Sequence, residues 1–113
     1  MNIKFFGATR EVTGSCYLIQ VNDKSILLEC GMLQGSHQHE RHNHDDFPFD
    51  VTELDAVIVS HAHLDHTGRL PMLIKEGFHG SIFTHNATVD LCKIMLVDSG
   101  YIHEKEARWE NKK

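Results

Sequence analysis

The chain has 113 residues, is 41% hydrophobic and 24% charged, and carries 8 glycines and 2 prolines, a composition that allows one globular domain at most. Its formal net charge of −5 gives no basic footprint for nucleic acid, and no run of residues approaches the length of a membrane span. The 3 cysteines, Cys16, Cys30 and Cys92, have no paired spacing and sit in apolar segments, so they read as buried thiols of a reducing compartment. With no signal-like N-terminus, the expected location is cytoplasmic.

In chain order, Ile3 to Gly7 predicts a first strand. The polar turn Thr9-Arg10-Glu11-Val12-Thr13-Gly14 leads to a second, Ser15 to Val21. Asn22-Asp23 tolerates positive φ and so predicts a tight turn into a third strand, Ser25 to Cys30. These strands are apolar on both faces in places, as expected of a sheet covered on one side by helices and on the other by a second sheet. Glu29 closes the third strand, and a carboxylate at the end of an apolar strand needs a partner. It is a candidate to accept a hydrogen bond from a metal-bound histidine and fix its tautomer.

From Met32 to Glu53 the chain is polar, with His37, His39, His42 and His44 at loose spacing. This predicts a solvated loop with room for a helical turn, at most an adventitious metal binder, pinned to the core by Phe47 and Phe49. Ala56-Val57-Ile58-Val59 is a β-branched run that predicts a buried strand.

Where that strand ends comes Ser60-His61-Ala62-His63-Leu64-Asp65-His66-Thr67-Gly68, with three imidazoles and a carboxylate in six residues. Nitrogen and carboxylate oxygen donors suit zinc, and also manganese or iron. The lack of neighbouring thiols argues for an open catalytic site over a closed structural one. His61 and His63, at i and i+2, point to one side and can grip one ion, while Asp65 and His66, past a bend, can face a second. The competing reading makes Asp65 or Thr67 a helix cap. Leu70 to Gly77 then predicts a short helix, with Pro71 in its first turn and Gly77 at its stop. Ser81 to Thr84 predicts a strand. Asn86 is expected to cap a longer helix through Val89, Cys92 and Leu96 as far as Trp109, with Gly100 a possible interruption. His79, His85 and His103 are isolated and read as structural.

His61, His63, Asp65 and His66 match, at all four positions, the second motif of the metallo-β-lactamase superfamily, which this sequence resembles. The stretches Gly7 to Cys16, Gly31 to Gly35, Asp65 to Pro71 and Ala87 to Leu91 resemble its β-CASP branch, whose members are largely RNA-processing nucleases. The resemblance implies an α/β fold, the N-terminal half of an αββα sandwich with a mixed sheet and flanking helices. It implies zinc, two ions in a complete enzyme with manganese as a substitute, held through His61, His63, Asp65 and His66. The implied activity is hydrolysis of RNA phosphodiester bonds, with Asp65 orienting the attacking water or accepting its proton. The family's first motif usually has aspartate where this chain has Glu29.

The family's later ligands and its β-CASP domain have no counterpart here, so residues 1–113 are expected to form a partial, truncated metallo-β-lactamase domain, inactive alone. The alternatives are a metallohydrolase of small substrates, such as thioesters or lactams, and a non-catalytic metal-binding module.

Overall fold

The computed structural model describes residues 1–8 and 10–111. Thr9 of the expected polar turn, and Lys112 and Lys113 at the C-terminus, lie outside the described residues. β1 (Asn2–Phe5), β2 (Tyr17–Val21) and β3 (Lys24–Leu28) form an antiparallel meander. The connection between β2 and β3 is Asn22–Asp23, with φ of 48° and 65°. Positive φ at both positions matches the twist of a two-residue hairpin, as the side chains predict.

β4 (Ala56–Ile58) and β5 (Ser81–Phe83) extend the sheet in parallel, giving the order β1-β2-β3-β4-β5. Parallel neighbours need crossovers. The crossover from β3 to β4 contains α1 (His37–Glu40) and two single 3-10 turns at Arg41–His44 and Val51–Glu53. The one from β4 to β5 contains α2 (Leu64–Thr67) and α3 (Leu70–Lys75), and α4 (Asn86–Asn111) follows. The mixed α/β architecture is the expected one.

Two local expectations are corrected. The cap of α4 is His85 and not Asn86: His85 Nδ1 accepts the Ala87 N–H at 3.1 Å, and its carbonyl accepts from Thr88 and Val89. Gly100 does not interrupt α4, because a single glycine costs only about 1 kcal/mol in a helix otherwise built of competent residues.

Register places Leu18, Leu27 and Val57 side by side on one face of the sheet. All three are buried, with Val51, Leu54, Leu70, Leu73 and Phe78 packed into the same cluster; each such side chain contributes roughly 1.5–3 kcal/mol of transfer free energy. The long β3–β4 loop is tied down by rings: Phe47 lies 5.5 Å from Phe49, Phe49 lies 5.4 Å from Phe6, and the Arg69 guanidinium stacks 4.2 Å from the Phe47 ring. Asn43 adds a clip, accepting the Leu33 N–H at 2.6 Å and donating to the Leu33 carbonyl at 2.8 Å.

The opposite face is different. Phe5, Tyr17, Leu28, Ile58 and Phe83 form one row across all five strands, and Phe5 and Phe83 are 65% and 58% exposed. Helices cover one side of the sheet; the other side is apolar and largely open.

Candidate metal centre

The site is built where β4 runs out. Val59 continues the pairing through its N–H to the Phe83 carbonyl at 3.0 Å, and its own carbonyl accepts the Thr84 hydroxyl at 2.8 Å. The chain then leaves the sheet and turns into α2. Thr67, fully buried, closes this turn by donating its hydroxyl to the carbonyls of Ala62 and His63, both at 3.1 Å. A buried hydroxyl of this kind has no sequence signature beyond its position, and by sequence Thr67 is only a candidate cap.

The ligand loop is laced to the end of β3 and to Ser15. Cys30 N–H donates to His66 O at 2.9 Å, Met32 N–H to Leu64 O at 2.8 Å, Arg69 N–H to Cys30 O at 3.0 Å, and Ser15 N–H to Asp65 O at 3.1 Å. Gly31 N–H in turn donates to Ser15 O at 2.8 Å. Gly31 has to be glycine, since a Cβ there would fall 1.8 Å from the Asp65 carbonyl oxygen. Two segments distant in sequence, Ser15 and residues 30–32, therefore fix the backbone that carries the histidines.

On this backbone the four motif side chains converge. The His61 ring lies edge-on to His63 with centroids 4.9 Å apart and 4.0 Å from the ring of His66. Asp65 Oδ2 is 3.3 Å from His66 Nε2. Two donor groups have ligand atoms all within 4.8 Å of one another: His61 with His63 and Asp65, and Glu29 with His61 and His66. His61 belongs to both. The sequence reading pairs Asp65 with His66 alone; in the structure Asp65 also stands within reach of His61 and His63.

Glu29 is 3% exposed and adopts φ of 67°, which ends β3 and turns the carboxylate towards the loop. Its Oε1 accepts the Ser60 N–H at 2.6 Å, and its Oε2 lies 3.1 Å from the Ser60 hydroxyl and accepts from His66 Nδ1 in a short contact. Ser60 Oγ is also 2.8 Å from His61 Nδ1. Ser60 is the site residue that motif reading missed, because serine before a histidine carries no signal until Glu29 is placed beside it.

Behind the site lie two buried thiols. Burial pushes Cys16 up to about 11, with the Arg69 charge acting in the opposite direction, and raises Cys30 further for the same reason. Neither is placed to serve as a thiolate ligand. Two histidines of the polar loop pair with carboxylates away from the site: His39 Nε2 is 3.0 Å from Glu11 and His42 Nδ1 is 2.8 Å from Asp45. None of them joins a ligand cluster among the described residues, and neither do His79, His85 or His103. No described helix is long and apolar enough to cross a membrane.

A family model described as the metallo-beta-lactamase superfamily matches residues 9–91. The chain is 50% identical over 99 residues to Ribonuclease TTHA0252 of Thermus thermophilus, an alignment covering 88% of this chain and 22% of that protein. It is 37% identical over 109 residues to Transcription termination factor FttA of Methanocaldococcus jannaschii, covering 96% of this chain and 17% of that one. Among solved structures, the metallo-beta-lactamase fold protein YhfI of Bacillus subtilis aligns with a TM-score of 0.51 at 27% identity, over 78% of this chain and 39% of that one. The chain thus spans about a fifth of the length of these curated relatives.

Proposed function

The chain belongs to the metallo-β-lactamase superfamily, and on that premise we propose that it supplies the metal-binding motifs of a zinc-dependent hydrolase of the β-CASP branch that cuts RNA phosphodiester bonds. The observation that carries this reading is the convergence of His61, His63, Asp65 and His66 at the end of β4, on a loop whose backbone is hydrogen-bonded to Ser15 and to residues 30–32. The names of the relatives, a ribonuclease and a transcription termination factor, support RNA as the substrate. Residues 1–113 form the first part of a metallo-β-lactamase domain in this reading, and the open face of the sheet receives the second sheet of the αββα sandwich. The thiols of Cys16, Cys30 and Cys92, all free, suit a reducing cytoplasmic setting.

The donor set fits zinc: imidazoles and one carboxylate, no thiolate, with one side of the cluster facing out, since His63 is exposed. Manganese is the nearest substitute. Zinc bound there supplies concentrated positive charge that polarises a phosphodiester and activates water. The chain's own residues do the rest. His61 and His63 orient one side of the site, and His66, braced by Glu29, orients the other. Asp65 stands between them as ligand and as acceptor for a proton from water.

Calorimetric titration with zinc tests the metal site. The wild type should bind, and the double variant His61→Ala with His63→Ala should bind roughly tenfold more weakly or not at all; equal binding by the two proteins overturns the assignment. RNA is tested by replacing the matching segment of the Thermus ribonuclease with residues 1–113. The chimera should cleave labelled RNA and Asp65→Ala should abolish cleavage. A folded, zinc-loaded chimera without activity would defeat the RNA reading.

A further inference from the structure

We propose that Ser60 is a positioning residue whose hydroxyl carries the influence of Glu29 to His61, so that one buried carboxylate sets the tautomer of two imidazoles at once. The inference rests on the metal-site reading above and deepens it. Ser60 Oγ lies between Glu29 Oε2, at 3.1 Å, and His61 Nδ1, at 2.8 Å. A serine hydroxyl has one hydrogen and two lone pairs, whereas an ionised carboxylate only accepts.

The hydrogen therefore has a determined place. Were it donated to His61 Nδ1, the hydroxyl lone pairs would face the Glu29 carboxylate with no proton between them. Oε2 would keep its bond from His66, but Glu29 is 3% exposed, so water cannot screen the repulsion between its charge and the facing hydroxyl lone pairs. The favourable arrangement has Ser60 O–H donating to Glu29 Oε2 and His61 Nδ1–H donating to Ser60 Oγ. Glu29 also accepts directly from His66 Nδ1. Both rings then carry their proton on Nδ1 and present the Nε2 lone pair, His61 through the serine and His66 without an intermediary. Metal-ligating histidines are commonly oriented through the nitrogen that does not bind; here a single carboxylate serves two of them by different routes.

The two routes can be separated by substitution. Ser60→Ala removes the hydroxyl and keeps the backbone N–H that donates to Glu29 Oε1 at 2.6 Å. Ser60 is exposed, so little packing is lost. In the metal-free chain, at a pH where the spectra show neutral rings, nitrogen-15 NMR of the histidine rings should show Nδ1–H for both His61 and His66 in the wild type. In Ser60→Ala, His61 should become a mixture of tautomers while His66 keeps its signature. Ser60→Thr, which restores a hydroxyl, should return His61 to the wild-type state. Zinc affinity, read by competition with a chromophoric chelator, should fall about 10-fold or more in Ser60→Ala and recover in Ser60→Thr.

An unchanged His61 tautomer in Ser60→Ala overturns the proposal. So does a Ser60→Ala protein that loses its NMR dispersion, since the hydroxyl would then be a structural group. If the wild type binds no zinc, the metal-site reading fails and the tautomer measurement, made without metal, decides the role of Ser60 alone.

Discussion

Gly31→Ala tests the lacing of the ligand loop more severely than any ligand substitution. The new Cβ would stand 1.8 Å from Asp65 O, 2.4 Å from Asp65 C and 2.9 Å from Ser15 N, all backbone atoms, where 3.0 Å is the practical floor. A side chain could swing away; a backbone cannot, so Gly31 and the Asp65 peptide must part by more than an ångström. That separation ruptures the bond from Ser15 N–H to Asp65 O, at 3.1 Å, and strains the neighbouring one from Cys30 N–H to His66 O, at 2.9 Å. With about 1 kcal/mol net for the ruptured bond and a further 1–3 kcal/mol for a buried group left unpaired, the expected loss is roughly 2–4 kcal/mol.

The assay is urea unfolding followed by circular dichroism, with zinc titration of whatever remains folded. Asp65 is carried on the displaced peptide, so affinity should fall together with stability. Gly100→Ala is the control: nothing lies within 4 Å of a Cβ there, and helix propensity favours alanine by about 1 kcal/mol. An unshifted unfolding midpoint for Gly31→Ala would refute the claim that this close approach holds the loop.

Alkaline pH should destabilise the fold through Cys16. Burial raises its folded pKa from 9.0 to about 11, so the folded chain keeps a proton that the unfolded chain releases. The effect is absent below pH 9, and stability falls between pH 9 and about 11; urea midpoints at stepped pH should decline less steeply in Cys16→Ala, and parallel slopes would contradict the burial argument. The open sheet face should drive self-association, because the row from Phe5 to Phe83 is a contiguous apolar surface. Light scattering should show mass rising with concentration, and less so in the double variant Phe5→Lys with Phe83→Lys. A monodisperse wild-type monomer at every concentration would rule this out.

The sheet was legible strand by strand because its signals are local. Alternation, β-branched content and the Asn22–Asp23 turn each act within a few residues, and all five strands are found within one or two residues of their predicted places. The metal motif was legible because its donors are adjacent in sequence. Relations between segments were not. That β3, β4 and β5 run parallel, or that Ser15 and residues 30–32 bond to residues 64–66, depends on closures over tens of residues that no local pattern encodes. The cap of α4 misled for another reason: Asn86 is the better capping residue by type, but the histidine before it reaches Ala87 N–H through its ring, an option that propensity scales do not weigh.

Glu29 shows how local strain and site order are linked. A non-glycine residue at φ of 67° costs on the order of 1–3 kcal/mol and persists only where its surroundings determine it. Here the surroundings do. Its carboxylate, nearly out of reach of solvent, meets the Ser60 N–H, the Ser60 hydroxyl and His66 Nδ1, and hydrogen bonds to an ionised group are about twice as strong as neutral ones. The same kink ends β3 and frees Cys30 and Met32 to pair with the ligand loop, so the strain at one residue is offset by bonds at several. Glutamate is one methylene longer than the aspartate usual in the family's first motif. In this chain that length lets one oxygen reach the Ser60 N–H while the other serves both the Ser60 hydroxyl and His66.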